Sequence, residues 1–333
     1  MPFVGPLIVI AAGIVAYAAA RWLLRHAGRI GLVAEVNERS SHTRPTPSGG
    51  GVGIVAAGTI GALPAIVSAP TGTLVVAGLA LVIAAIGFID DRRPIPAAIR
   101  LAAQLALAAA MVAVLPAPGV VVGVVLVLAA VYCINVFNFM DGIDGIAGTE
   151  AAFVLVAASA LAVLAGAPAA APLVWWMLAL AAATLGFLVL NWPPAKIFMG
   201  DSGSTYLGFM LAWFALATVA AGWLTAWQWA ILGALFIADA TITLMRRALR
   251  GEPLFKAHRL HAYQHLSRRW GRHRPVTLLY LAVNVVLLLP LAVAAGALPG
   301  LAPAIAAIAY LPVLAGLLWA GAGAPEAPSR TSS

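Results

Sequence analysis

Apolar residues run along this chain in long unbroken stretches, parted by short polar segments, and within the stretches there is no strict alternation. At about 20 residues per membrane crossing, eleven stretches predict transmembrane helices. They lie at roughly 3–24, 51–69, 72–89, 98–115, 119–137, 148–166, 173–191, 204–222, 227–245, 276–296 and 302–320. Continuous runs suit helices, because an open sheet leaves backbone groups unpaired in lipid. The expected fold is all-α: a polytopic integral membrane protein whose residues 1–333 form one transmembrane domain.

Composition agrees with the pattern. Of 333 residues, 63% are hydrophobic and 9% are charged, where soluble proteins carry about 25% charge. A soluble globule and a disordered chain are both excluded. The single cysteine, Cys133, excludes a disulfide framework and a cysteine-based zinc site.

The position of the charges says more than their sum. Alternating spans place 25–50, 90–97, 138–147, 192–203, 246–275 and the C-terminal tail on one side. All 19 Lys and Arg fall in those segments or near the helix ends beside them. The opposite side has short turns at 68–71, 116–119 and 167–172 without Lys or Arg. The positive-inside rule makes the charged side cytoplasmic, the N-terminus external and the C-terminus internal. Trp175, Trp176, Trp223 and Trp227 fall at the outer ends, as an interfacial belt would. Arg21 and Arg25 follow the first run rather than precede it, so no cleavable signal peptide is expected. The net charge of +8 then reflects orientation and anion binding, and no nucleic-acid partner is expected.

The acidic residues and histidines share that side. Asp239 is the deepest, about 10 Å along a helix from Arg246. A buried acid is expensive in a membrane, so it either pairs with Arg246 or a neighbouring polar group, or serves a site. Transporters place ionisable groups at the midplane, often in repeated halves. Neither feature is present here. Polar chemistry gathered at one face suits an enzyme that joins a cytosolic substrate to a lipid head group.

Five segments carry that chemistry. In the first, Arg44 precedes Gly49–Gly50–Gly51 and Gly53 at a helix start. Such glycines let amides approach an anion, or let helices pack closely. In the second, Asp90 and Asp91 stand beside Arg92 and Arg93, with Arg100 opening the next helix. Paired carboxylates bind a divalent cation, hold a general base, or form a salt-bridge cluster, and Arg100 suits a lipid phosphate. In the third, Asn138, Asp141 and Asp144 share one helical stripe if the helix continues, and suit Mg²⁺ or sugar hydroxyls. Gly142 and Gly145 instead favour a broken helix end. The fourth runs from Asn191 through Pro193–Pro194 to Phe198 and Gly200–Asp201–Ser202–Gly203–Ser204. The prolines end one helix, and the serines are natural caps for the next. A phosphate at that start beside Asp201 implies a bridging metal, unless Asp201 only caps. The fifth, 246–275, holds His258, Arg259 and His261, either a diphosphate clamp or part of a polybasic patch on anionic lipid. Its His-x-x-His spacing is wrong for a zinc protease.

These segments, in this order, resemble the polyprenyl-phosphate N-acetylhexosamine-1-phosphate transferases. That family includes enzymes that start O-antigen and enterobacterial common antigen, and the phospho-MurNAc-pentapeptide transferase of peptidoglycan synthesis. The specific motifs are Asp90–Asp91, Asn138-x-x-Asp141-Gly-x-Asp144-Gly and Phe198–Met199–Gly200–Asp201-x-Gly–Ser204. The resemblance implies that the domain is catalytic. Undecaprenyl phosphate would attack a UDP-N-acetyl sugar at the inner membrane, with Mg²⁺ (or Mn²⁺), releasing UMP. It implies Asp201 as main metal ligand and Asn138 as a second, with Asp90, Asp91 and Arg100 near the lipid phosphate. Phe198 would stack near uracil, and Asn191, Asp141 and Asp144 would line the donor site. Arg44, Gly50, His258, Arg259 and His261 would complete substrate binding, with 246–275 as the recognition loop. A homodimer is also implied. A lipid phosphate is largely ionised at neutral pH, which favours direct attack over a base or an aspartyl nucleophile.

The peptidoglycan branch carries consecutive histidines in its last loop. The text His258–Arg259–Leu260–His261 resembles the O-antigen-initiating branch more, with GlcNAc, FucNAc or QuiNAc as candidate sugars. A CDP-alcohol phosphatidyltransferase fits poorly, because no Ala-Arg follows Asp141–Gly142 and no further aspartates follow at four-residue spacing.

Overall fold

A computed structural model describes residues 4–34, 45–68, 70–116, 119–253 and 258–325. The chain is a helical bundle, and every apolar stretch is helical. The helices are α1 (Val4–Ile30), α2 (Gly51–Ile60), α3 (Leu63–Ser68), α4 (Pro70–Arg92), α5 (Ala97–Val112) and α6 (Val120–Met140). They continue as α7 (Ile146–Leu164), α8 (Pro172–Asn191), α9 (Asp201–Ala220), α10 (Ala226–Leu232) and α11 (Ala234–Leu249). The last are α12 (Ala262–Trp270), α13 (Arg274–Val283), α14 (Leu289–Ala297) and α15 (Ala302–Ala320). A π-helical turn, Asn284–Leu288, joins α13 to α14.

Among the described residues nine helical segments are long and apolar enough to cross a membrane, and ten if a bent pair counts as one span. The eleven stretches differ from that number for two local reasons. First, α5 is only 16 residues long. Its start meets the charged end of α4 through Arg100 and Asp90, and its end leads to the far end of α6, so it still joins the two faces. Second, the stretch at 227–245 bends by 76° between α10 and α11, at Gly233. Before that bend, Thr225 and Gln228 close a capping box: the Gln228 amide donates to Thr225 Oγ1 at 3.2 Å and Oε1 accepts the Thr225 amide at 2.9 Å.

The helices α7, α8 and α9 are innermost. α8 lies against α1, α7 and α2, while α9 lies between α4 and α6. Outer helices turn large apolar side chains to lipid, for example Leu7 on α1 and Val121 on α6. Close packing inside rests on small residues, as expected where lipid competes equally for apolar surface. Gly51 of α2 meets Gly203 of α9 so closely that a Cβ on Gly51 would lie 2.6 Å from the Gly203 amide nitrogen. Trp176 is buried rather than interfacial, and its indole donates to the Gly58 carbonyl at 2.9 Å.

Among the described residues one short antiparallel ladder, β1 (Val33–Ala34) with β2 (Thr46–Pro47), lies between α1 and α2 in the chain. The segment after it runs beside 198–199: the Phe198 amide donates to the Pro47 carbonyl at 2.8 Å, and the Gly50 and Gly51 amides donate to Phe198 and Met199 at 2.9 Å each.

Candidate active site

The end of α4, the start of α5, the end of α6 and the start of α9 converge at one end of the bundle. Asp91, at the end of α4, accepts the Asp201 amide at 2.7 Å and the Ser202 amide at 3.2 Å. A carboxylate from another helix therefore satisfies the orphan amides of α9, which the sequence assigned to Ser202 and Ser204. Gly200 makes this possible. Its φ is +76°, and a Cβ there would lie 2.5 Å from an Asp91 carboxylate oxygen. Asp90 points elsewhere: it accepts the Ile95 amide at 2.6 Å and pairs with Arg100.

Asn138 donates to Asp201 Oδ1 at 2.8 Å and to Ser204 Oγ at 3.2 Å, and Arg100 reaches Asp201 Oδ2 at 3.4 Å. α6 stops at Met140, so Asp141, Asp144 and Asn138 do not share a helical stripe. The broken-end alternative is the observed one. The turn 141–145 nevertheless keeps all three on one cavity.

That cavity, about 310 Å³, is lined among others by Asp91, Asp141, Asp144, Phe198 and Asp201. Asp141 has its pKa pushed up to about 8, first by burial and then by the charges of Asp201, Asp91 and Asp144. Asn191 also borders the cavity, but its amide joins two loops: Oδ1 accepts from Gly145 at 3.1 Å and Nδ2 donates to the Ile197 carbonyl at 2.9 Å. Gly50 has its amide committed to Phe198, so it supports that segment rather than offering an anion site. Arg44 lies outside the described residues.

A second space, a groove of about 550 Å³, opens on the other side of Asn138 between α5, α6 and α11. Its wall is mainly apolar, with Leu101, Leu128 and Val131 on it and Arg100 at its polar end. His258 and His261 border this groove, not the carboxylate cavity. Arg259 accepts the Arg268 guanidinium on its carbonyl at 2.8 Å. A small space of about 40 Å³ lies between the two, lined by Asp90, Arg100, Asn138 and Asp201. Asn138 borders all three.

Asp239 anchors the start of α12 rather than pairing with Arg246. It accepts the amides of Ala262 at 2.9 Å and Tyr263 at 3.3 Å, at the start of α12. Tyr280 donates to it at 3.0 Å, and His261 Nδ1 stands 3.3 Å away. Arg246 instead donates to the Ala322 carbonyl at 2.6 Å. His258 has its pKa driven down to about 4, mainly by burial and then by His261 and Arg247. Two residues absent from the sequence reading also border the cavity, Gln264 and His273.

Among the described residues no three His, Cys, Asp or Glu side chains converge as a metal cage. The cavity nevertheless collects hard oxygen donors whose mutual repulsion shows in the raised Asp141. That suits Mg²⁺, which is held by one or two carboxylates and completes its shell with water and phosphate.

Comparison with known proteins bears on this geometry. Residues 73–219 match the family model described as glycosyl transferase family 4. The chain is 32% identical over 325 residues to the decaprenyl-phosphate N-acetylglucosaminephosphotransferase of Mycobacterium tuberculosis (strain ATCC 25618 / H37Rv), covering 84% of this chain and 80% of the relative. It is 28% identical over 277 residues to the probable undecaprenyl-phosphate N-acetylglucosaminyl 1-phosphate transferase of Bacillus subtilis (strain 168), covering 77% and 76%. Over 172 residues it is 34% identical to the phospho-N-acetylmuramoyl-pentapeptide-transferase of Nostoc sp. (strain PCC 7120 / SAG 25.82 / UTEX 2576), covering 49% and 44%. With its motifs gathered at one end of a multi-pass bundle, the chain belongs to glycosyl transferase family 4, the polyprenyl-phosphate sugar-phosphate transferases.

Proposed function

We propose that the protein transfers N-acetylhexosamine-1-phosphate from a UDP-sugar to undecaprenyl phosphate, releasing UMP, at the cytoplasmic face of the inner membrane. The product, undecaprenyl-diphosphate-sugar, starts O-antigen or a related envelope polysaccharide. The observation that carries this reading is the shared border at Asn138: a polar, carboxylate-lined cavity on one side and an apolar groove with one arginine on the other.

Each substrate matches one space. The polyprenyl chain lies along Leu101, Leu128 and Val131, with its phosphate at Arg100. The nucleotide enters the cavity, with uracil on Phe198 and the sugar toward Asp141 and Asp144. In the transfer, an oxygen of the lipid phosphate bonds to the β-phosphorus of the donor. The bond from that phosphorus to the bridging oxygen breaks, and UMP leaves with the electron pair. The lipid phosphate is already largely ionised at neutral pH. Both Asp91 oxygens hold amides, and Asp90 holds Ile95 and Arg100. Both carboxylates are thus engaged in positioning helix ends and Arg100, which fits direct attack by the lipid phosphate.

Asp201 and Asn138 would hold Mg²⁺, and Mn²⁺ suits the same oxygen donors. Bound there, the cation supplies charge neutralisation for the diphosphate and the leaving group. Arg100 holds the acceptor phosphate against its neighbours' negative charge, and Phe198 and Asn191 fix the donor's position.

The test is release of UMP by purified protein that depends on undecaprenyl phosphate and Mg²⁺, across UDP-GlcNAc, UDP-FucNAc, UDP-QuiNAc and UDP-MurNAc-pentapeptide. One of the first three is expected to turn over. No lipid-dependent UMP from any donor would overturn the reading. Asp201→Asn should lower kcat by about 10³-fold, equivalent to about 4 kcal/mol of barrier, and wild-type activity in that variant would remove the metal assignment.

A further inference from the structure

One face of α13 carries polar residues at successive helical turns. His273, just before the helix, is followed by Thr277, Tyr280 and Asn284 at spacings of four, three and four residues. Such spacing keeps side chains on one stripe. In a membrane helix a polar stripe needs internal partners, and each of these residues has one. Tyr280 meets Asp239 and Asn284 meets Glu150. The first two meet the same residue, Asp144. His273 Nδ1 accepts the Asp144 amide at 3.4 Å and lies 3.1 Å from Asp144 Oδ1, and Thr277 Oγ1 donates to the Asp144 carbonyl at 3.0 Å.

Asp144 follows a helix break in a turn containing Gly142 and Gly145, so the local backbone does not fix its orientation. The remaining carboxylate oxygen accepts the Ala195 amide at 3.0 Å. The side chain is thus held from both sides, by the loop ahead of α9 and by α13. His273 also borders the carboxylate cavity, with Phe198 and Asn191.

We propose that His273 is a donor-side positioning residue: with Thr277 it fixes the Asp144 carboxylate in the orientation that receives the nucleotide sugar. The inference rests on the donor occupying this cavity. Neither His273 nor Thr277 borders the apolar groove, so the effect belongs to the donor and not to the lipid.

The test is steady-state kinetics with each substrate varied, together with UMP binding measured by calorimetry in detergent. His273→Ala should raise the donor KM and the UMP Kd about tenfold, equal to about 1.4 kcal/mol. The KM for undecaprenyl phosphate should stay unchanged. His273→Asn, whose side-chain amide carries both an acceptor oxygen for the Asp144 amide and an N–H for its carboxylate, should recover most of the loss. Thr277→Val should shift the donor KM in the same direction by a smaller factor. A His273→Ala protein with wild-type donor KM and UMP Kd would overturn the proposal, as would an equal rise in both KM values. If that variant fails to fold, His273→Asn and Thr277→Val decide by the same donor-to-acceptor split. Wild-type protein that turns over no UDP-sugar would overturn the proposed function instead, so the two failures are distinguishable.

Discussion

Asp141 has both a local cause and a measurable consequence. Burial, followed by Asp201, Asp91 and Asp144, raises its pKa to about 8. The folded chain therefore keeps a proton that the unfolded chain releases near pH 4. The stabilising contribution of that proton is complete below about pH 4 and is lost as pH rises through about 8. Asp141→Asn is uncharged throughout. Without divalent metal, its apparent melting temperature should exceed that of the wild type by more at pH 9 than at pH 5, while its activity falls. A gap that stays constant with pH would contradict the electrostatic origin. The candidates themselves were legible in the sequence, because five aspartates and an asparagine gather at charged helix ends, each with a salt-bridge or capping role as the alternative. What could not be read was the division of labour. Asp91 caps α9, Asn191 bridges two loops and Asp239 seats α12. Each of these choices depends on a partner distant in sequence, and hydropathy and spacing carry no record of it.

At the scale of elements, the apolar runs located every membrane-spanning helix, and α12 stands outside them in the polar segment 246–275. The breaks were harder to see. The bend at Gly233 lies inside a run whose hydropathy does not change, while the stop at Met140 was one of two readings that Asn138, Asp141 and the glycines left open. The stripe on α13 stands at helical spacing in plain text, yet His273 sits beside Arg272 and Arg274 and merged with a basic patch. The groove between α5, α6 and α11 is a product of packing and has no signature in any one of those helices. Its role is testable without touching the carboxylates. Leu101 is part of the groove wall on α5 and does not border the carboxylate cavity. Leu101→Trp should fill the groove and raise the KM for undecaprenyl phosphate about tenfold or more, within the range set by pocket shape elsewhere. UMP binding should remain at the wild-type value. A variant with unchanged lipid KM would move the acceptor to another face of the bundle.

For the whole molecule, sidedness follows from the same charges that build the site. Moving Lys or Arg across a bilayer is costly, and loops rich in them stay cytoplasmic. All 19 basic residues lie on or near one side, and the carboxylates and histidines of the site are there with them. A nucleotide sugar is water-soluble and charged, so it must be met on a face open to its own compartment. In the proposed reaction the lipid phosphate comes from the adjacent leaflet, and the apolar groove that would take its chain has Arg100 on its lining. Orientation and mechanism are therefore one constraint. The chain offers a direct test, since Cys133 is its only cysteine. In a Cys133→Ala background, a single cysteine at Ala169, in the exposed turn between α7 and α8, should react with a membrane-impermeant maleimide on intact spheroplasts. A cysteine at exposed Arg272 should react only in inside-out vesicles. The reverse pattern would place the carboxylate cavity outside the cell, away from a cytosolic UDP-sugar, and would defeat the proposed reaction even if every contact in the cavity stood.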